Sequence, residues 1–579
     1  MVFGCGVSTA PPNASTTQPA AHPNVKSLEQ LVGELQSDKA QERVAAADAL
    51  GAMGAEAKSA VPDLIRVLGD ENFWAGLAVA EALSSIGEPA APALAEAMAK
   101  GPGMVPVRAG FALRGMGAAA RPALPALRAA LQGKNARLRD VAAEAIAAIE
   151  QGGQPATPAA TRRIRSAAVR PPESLHPADG WTGFRGPRRD GLCLETGLLA
   201  TWPADGLKLL WKSTGLGKGY SSVAMAGGRL FTMGDRKLPG KEAQFVLAFD
   251  LTGGKELWAV EVGPPHTDGP RCTPTVDGAV LYALGTEGDL VCLETASGKL
   301  RWRKSLVRDF GGQMMSMWKF SESPLVDGEK LICTPGGKDA ALVALNKKTG
   351  ELIWKCKLPD LGPKGKDGAA YSSAVVAEID RVRQYVQILG RGAVGVDARD
   401  GKLLWSYNRI ANDVANVPTP IVRDNYVFVT TSYKTGSALL KIVRKQDAFA
   451  AEEVYFLDPT QFENHHGGVV LVGDYLYGGH GLNRGQPVCI HLPTGEMAWK
   501  SPPLGRGSAA VLYADGHVIF RYDRGEVFWV EANPREFRVQ GRFKPVTADG
   551  PAWAYPVVDG KRLYLRHGDV LACYDLSAQ

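Results

Sequence analysis

The chain has no run of eighteen apolar residues, so it offers no segment that would span a bilayer as a helix. It has no Cys-x-x-Cys pair, which removes the usual signature of zinc ribbons, thioredoxin-type redox chemistry and attached c-type haem. There is no His-Glu-x-x-His and no Gly-x-Ser-x-Gly elbow, so metalloprotease and hydrolase signatures are missing too. Pro335-Gly-Gly-Lys338 is followed by Asp, which makes it no Walker loop. Gly215-Leu-Gly-Lys-Gly219 has the look of a nucleotide loop, but no helical pattern follows it. Excess charge is also scarce. A formal net charge of +6 spread over 579 residues does not argue for a nucleic-acid partner, and none is expected.

What is abundant is turn chemistry. The 67 Gly and 38 Pro suit a protein rich in short strands, and hydrophobic (45%) and charged (22%) fractions are those of a soluble globular chain. The length calls for several cores rather than one. One phrase recurs: Leu251-Thr-Gly-Gly-Lys-Glu-Leu-Trp258, Ser297-Gly-Lys-Leu-Arg-Trp302, Thr349-Gly-Glu-Leu-Ile-Trp354, Asp400-Gly-Lys-Leu-Leu-Trp405 and Thr494-Gly-Glu-Met-Ala-Trp499. Leu209-Leu-Trp211 repeats its ending. These Trp residues lie 47, 44, 52 and 51 apart and then 94, close to two further steps. Such a period, built from short strands, predicts a β-propeller with one blade per repeat. The eight cysteines do not form a disulfide framework on this reading. Cys292 and Cys489 share a phase with Ala248, Ala344 and Gly395, the small members of matching strands, and are expected to be buried thiols.

Residues 1–26 are expected to be a disordered N-terminus. They lack the charged and apolar regions of a signal peptide, yet Val2-Phe-Gly-Cys5 resembles the tail of a bacterial lipoprotein cleavage site, followed by an Ala/Pro/Ser/Thr tether. On that reading the protein starts upstream of Met1 and Cys5 is the lipidated residue that tethers it to a membrane; a plain soluble terminus is the other reading. Residues 27–150 change to helical spacing. Ala46-Ala-Asp-Ala-Leu50-Gly-Ala-Met-Gly54, Ala80-Glu-Ala-Leu83-Ser-Ser-Ile-Gly87 and Gly110-Phe-Ala-Leu113-Arg-Gly-Met-Gly117 repeat at 33 and 30 residues. Gly ends each first helix and Pro opens each second one. The pattern resembles short HEAT repeats of the phycobilisome-lyase type, without a lyase residue to carry over. It implies a helical solenoid, serving as a docking surface or as a cap. Residues 151–178, rich in Pro, Ala, Gly and Arg, read as a flexible basic linker.

Residues 179–579 hold the propeller. Trp181-Thr-Gly-Phe-Arg-Gly-Pro187-Arg-Arg-Asp-Gly191, with Leu209-Leu-Trp211 and Gly219-Tyr-Ser-Ser222, resembles the opening of the PQQ-like propeller family, which includes quinoprotein dehydrogenases and the BamB-type lipoprotein of outer-membrane assembly. Eight blade openings follow: Tyr220-Ser-Ser222, Arg271-Cys-Thr273, Glu322-Ser-Pro324, Tyr371-Ser-Ser373, Val417-Pro-Thr419, His465-His-Gly467, Gly507-Ser-Ala509 and Trp553-Ala-Tyr555. The fold class is therefore multidomain, an α-helical HEAT-like solenoid followed by an all-β eight-bladed propeller. Two blades lack the Trp, one ending near Glu453-Val-Tyr-Phe456 and one near Phe537 to Phe543; the last blade is completed by the strand around Trp211, which leaves no open edge. The repeat Trp residues are expected to pack between blades.

Function is expected where the openings converge on the channel mouth, which draws together Tyr220, Arg271, Trp318, Glu322, Tyr371, Asn416, His465, His466, Arg506, Trp553 and Tyr555. Aromatic faces with a few polar groups suit a polar planar ligand or a peptide at the rim. Adjacent His465 and His466 in extended chain point apart and are not expected to hold a metal, and His491 falls at a turn position. No catalytic residue is assigned. The expectation is a monomeric, non-catalytic binding or scaffolding protein of the bacterial periplasm or cell envelope, with no cofactor. The resemblance also implies an alternative, an alcohol or sugar dehydrogenase with PQQ and Ca²⁺ in the funnel, although the adjacent cysteine pair of the alcohol dehydrogenases is missing. A carbohydrate-binding propeller, sensitive to Trp553→Ala, is the third reading.

Overall fold

The computed structural model describes residues 26–133, 136–150, 180–446, 448–548 and 550–578. Cys5, the tether and the 151–178 linker lie outside the described residues. The chain forms two compact units, divided near residue 170. No helix among the described residues is long and apolar enough to cross a membrane.

The first unit is a stack of helix pairs. Helix Phe73–Ile86 is followed by Ala91–Lys100, and Val105–Met116 by Leu124–Leu131, with Ala136–Glu150 closing the series. The stop and start signals act as the sequence implies. Gly87 and Gly117, with φ of 78° and 54°, end their helices in a conformation that costs other residues, and Pro92 and Pro125 sit in the first turns that follow. Short 3₁₀ segments such as Gly54–Ala60 and Gly117–Ala123 join the pairs; an Ala/Pro-rich stretch carries no period by which to foresee them. One continuous core runs through the stack, centred on Leu50, Leu64, Leu83, Leu94, Leu113 and Leu127.

The second unit is the eight-bladed ring. Seven blades are consecutive antiparallel sheets, beginning with Ala224–Ala226 to Glu256–Gly263 and reaching Ala509–Ala514 to Val539–Phe543. In the eighth, strand Leu209–Ser213 pairs antiparallel with Val570–Asp575, placing Trp211 opposite Cys573. A second closure escaped the sequence pattern: Leu192–Cys193 pairs parallel with Ala509–Ala514 as a fifth strand of the seventh blade. All seven described cysteines are free and buried, including Cys292 and Cys489, whose phase with Ala and Gly predicted it.

Each outer strand that holds a repeat Trp carries a β-bulge just before it, for example between the pairs Ala344↔Trp354 and Leu345↔Leu352. The bulge turns the indole onto the next blade. Trp258, Trp302 and Trp499 donate to the Thr295, Lys347 and Asn533 carbonyls of the following blades at 3.2, 3.0 and 2.8 Å. The Gly of the next repeat phrase lies flat on the ring: a Cβ at Gly401 would stand 2.5 Å from Trp354 Cε3, and Gly401 has a φ of 78°. The phrase Gly-x-x-x-Trp is therefore a two-part joint between neighbouring blades. In the fifth blade Tyr455 takes the Trp position, with Gly495 on its ring. In the seventh the pair is inverted: Trp529 faces Gly541, and Trp202 from the N-terminal segment stacks on Trp529 at 5.2 Å. Gly401→Ala is expected to lower the stability of the propeller by about 2–4 kcal/mol, through left-handed strain plus overpacking; thermal unfolding of the variant checks it.

Candidate functional site: a plugged funnel with an aromatic mouth

The innermost strands begin at the eight openings, and one end of their channel is filled by the segment Trp181–Gly191. The Trp181 and Thr182 carbonyls accept from the Met225 and Val276 amides at 2.7 Å each, and the Gly191 carbonyl accepts from Tyr513 at 2.9 Å. Arg189, with φ of 56°, points into the channel and is buried. It donates to the Ser323 and Ala374 carbonyls at 2.9 and 3.1 Å and also to Pro324. Arg185, at φ 61°, donates to Asp190 O and Val469 O and lies 5.7 Å from the Tyr555 ring centroid. The phrase that carries the family resemblance is thus a plug. It gives the funnel a floor and leaves the openings as the side of approach.

Above the floor, the openings are tied in register by hydroxyls. The Ser222 amide donates to Thr273 Oγ1 at 3.2 Å, Thr273 to Ser323 Oγ at 3.0 Å, and Ser323 to Ser373 Oγ at 3.0 Å. This ladder corrects one alignment. Ser321, not Glu322, matches Tyr220 and Arg271; Glu322 matches Ser221 and Cys272. Ser221, Cys272 and Glu322 accept the amides of Met233, Leu284 and Thr334 respectively, each twelve residues on. Glu322 is buried between blades, with Gln387 on its other oxygen, and does not face the mouth. Burial pushes its carboxyl up to about 7, against the amide, hydroxyl and Arg189 interactions that lower it. Asn416 is also removed from the mouth: its amide donates to the Leu389 and Gly390 carbonyls at 3.0 and 3.2 Å, and its oxygen accepts from Asn412. Tyr555 belongs to the floor, where its hydroxyl donates to His466 O at 2.7 Å. Arg506 is exposed on the loop before the seventh blade.

The other predicted residues form a belt. Tyr371 meets Trp318 edge-on at 5.8 Å, and its hydroxyl accepts from the Trp318 amide. Arg271 donates to Trp318 O at 2.9 Å, is held by Asp268 at 2.7 Å, and lies 5.9 Å from the Tyr220 ring centroid. Tyr220 meets Trp553 at 4.6 Å, Trp553 meets His466 at 5.0 Å, and His466 meets His465 at 4.3 Å. His465 is held at 2.8 Å on both nitrogens, by Tyr433 OH and Ser508 Oγ. Tyr433 returns to Trp318 and Tyr371 in one apolar cluster with Met315, Ala370 and Ala415. Eight side chains thus close a ring. Tyr433 was not picked out from sequence, because it sits after a second strand rather than at an opening; its φ of 58° is the kind of strain found at functional loops.

Burial holds both imidazoles neutral at pH 7. It lowers His465 to about 4 and His466 well below the usual histidine range. Burial likewise raises Tyr220, Tyr371 and Tyr433, so all three are uncharged phenols. The belt is therefore a wall of ring faces and neutral donors and acceptors around a single guanidinium. Among the described residues no three His, Cys, Asp or Glu side chains gather where they could hold a metal, and Glu322 and Asn416 are spent on backbone groups. These residues offer no ready oxygen set for the Ca²⁺ of the alternative reading, and no step is derived through that ion or a quinone. His491 ends the strand Gln486–His491, just before the turn, and bonds Thr494. The Gly215–Gly219 loop does gather amides, but on its own chain: Gly215 and Gly217 donate to the Asp569 carboxylate at 3.0 and 2.6 Å.

These features define an eight-bladed propeller with one open end. The family model "Outer membrane protein assembly factor BamB" matches residues 242–501, and that of HEAT repeats matches 28–109. The propeller is thus similar to the PQQ-like, BamB-type family over residues 242–501, and the helical unit to HEAT repeats over residues 28–109. Among curated relatives, quinoprotein alcohol dehydrogenase PedH of Pseudomonas putida is 28% identical over 171 residues, 25% of this chain and 28% of that protein. The BamB of Shewanella oneidensis is 22% identical over 237 residues, 41% and 54% respectively. The chain thus spans about half or less of each. Among solved structures, BamB from Moraxella catarrhalis is 14% identical with a TM-score of 0.47, covering 64% of this chain and 99% of that one. Quinohemoprotein alcohol dehydrogenase from Comamonas testosteroni is 11% identical with a TM-score of 0.48, covering 69% and 81%.

Proposed function

We propose that the protein is a non-catalytic binding and scaffolding protein of the bacterial cell envelope, whose partner or ligand docks at the propeller mouth. The observation that carries this is the closed belt from Tyr371 to Tyr433 over a plugged floor. A funnel with one open end and neutral, mutually braced side chains is made to hold something. The hydroxyl–imidazole–phenol chain Ser508–His465–Tyr433 has a buried serine, and burial lowers His465 to about 4, which makes it a weak base. The match to the BamB model within the propeller supports the envelope assignment, and a lipid tether at Cys5 belongs to the same reading. Capture from an envelope fraction tests it. The full chain should recover a partner that Trp553→Ala recovers at least about tenfold less well; equal recovery by both would remove the mouth from the account.

The similarity to PedH favours a second reading, a quinone-dependent dehydrogenase. Adding PQQ and Ca²⁺ to the purified protein decides it. Saturable absorbance changes with dye reduction establish the enzyme; an unchanged spectrum supports the scaffold.

A further inference from the structure

The His465–Trp553 half of the belt lies beside an arc of positive charge. Lys434 follows Tyr433 of the belt. Arg484 precedes Gly485, which packs against the Gly507 carbonyl and the Ala509 amide of the seventh opening. Arg506 precedes Ser508, a partner of His465, by two residues. Lys500 ends the outer strand of the sixth blade. All four are exposed, and none makes a side-chain ion pair among the described residues, whereas elsewhere on the ring Arg271, Lys319, Lys357 and Arg391 are each matched to an acid. Two of the four repel: Lys500 is held below the usual lysine range by partial burial and by Arg484. His480 is lowered to about 4 by burial, Lys500 and Arg484. The acids near this arc are not free to answer it. Glu463 accepts the Lys434 and Leu482 amides, and Asp523 packs against Gly507, its carboxyl raised by burial to about 6. Like charges kept together without a counter-ion cost stability unless an anion joins them.

We propose that this sector of the mouth binds an acidic glycan, a chain of uronic-acid-type sugars whose ring faces stack on Tyr220, Trp553 and His466 while its carboxylates meet Arg484, Arg506 and Lys500. A saccharide fits better than an acidic peptide. On the channel side the plug already bonds the innermost strands of the first, second and seventh blades through the Met225, Val276 and Tyr513 amides, which leaves less free main chain there for a peptide to pair with. The wall instead presents tilted ring faces, Tyr220 against Trp553 at 49° and Trp553 against His466 at 58°, of the kind that sugar rings stack on.

The inference rests on the mouth being a binding site and is tested apart from it. Titration calorimetry on the full chain compares tetragalacturonate, the same tetrasaccharide with its carboxyl groups reduced, and hexaglutamate. Tetragalacturonate should bind, and the reduced sugar and hexaglutamate should each bind at least about tenfold more weakly. The double variant Arg484→Glu/Arg506→Glu, which alters only exposed side chains, should lose at least about tenfold, as should Trp553→Ala. Absence of tetragalacturonate binding, equal affinity for hexaglutamate or the reduced sugar, or indifference to either variant would overturn it. If the glycan fails while Trp553→Ala still abolishes partner recovery, only the ligand class is wrong. If Trp553→Ala affects neither, the mouth is not the site.

Discussion

Arg566→Met should destabilise the propeller by about 3–5 kcal/mol, the largest single-residue effect expected outside the apolar core. Arg566 belongs to the eighth blade, where the ring closes, and its side chain is 1% exposed. Its guanidinium reaches into the first blade, donating to Thr232 Oγ1 at 2.8 Å, Ser221 O at 3.3 Å and Met233 O. Its own carbonyl accepts from Arg521 of the seventh blade, which also donates to Ala554 O at 2.6 Å. Two buried arginines therefore latch blades seven, eight and one. Methionine keeps the volume and strands the carbonyls, each costing about 1–3 kcal/mol when buried without a donor. The urea midpoint measures the loss. A change below about 1 kcal/mol would mean that strand pairing at Trp211 closes the ring unaided.

Glu322 should make the propeller less stable as pH rises through the neutral range. Its folded carboxyl keeps its proton to about pH 7, whereas the unfolded chain releases it near 4.5. Between those values the native state binds more protons, so the stability of the fold falls with rising pH and levels off above about 7. The shift corresponds to about 3 kcal/mol. Glu322→Gln keeps an acceptor for the Thr334 amide and cannot ionise. The variant should show a stability difference between pH 5 and pH 8 that is smaller than that of the wild type by that amount. Equal pH slopes would show that Arg189 already neutralises Glu322 as a carboxylate.

Much of the architecture was legible because it is periodic. The Gly-x-x-x-Trp phrase specifies a turn, a bulge and a joint in one blade after another, which gave the propeller and its closure through Trp211, and the recurring openings gave the count of eight where two blades lack the Trp. The helix pairs were legible through Gly87, Gly117 and the prolines after them. What could not be read came from contacts that occur once. Trp202 filling the seventh blade, the parallel strand Leu192–Cys193 and the Arg189 plug are long-range and unrepeated. At the mouth, Tyr220, Arg271, Tyr371, His465, His466 and Trp553, all named from the openings, lie together in the belt. The misplacement of Glu322 came from a one-residue slip that only the Ser222–Thr273–Ser323–Ser373 ladder reveals. Asn416 was at an opening but turned inward, since its amide satisfies two buried carbonyls. Burial of a polar side chain leaves no mark on sequence spacing.

The account places function at the mouth and assigns the repeat Trp residues to the joints between blades. A photo-crosslinking amino acid introduced at two exposed positions compares the two regions directly in the cell envelope. Met317, 75% exposed, stands on the mouth rim beside Trp318, and Leu352, 46% exposed, lies on an outer strand two residues from Trp354. Adducts from position 317 that disappear with Trp553→Ala, and none from position 352, are the predicted result. Adducts from 352 alone would contradict the account and move the binding surface to the outer edges of the blades.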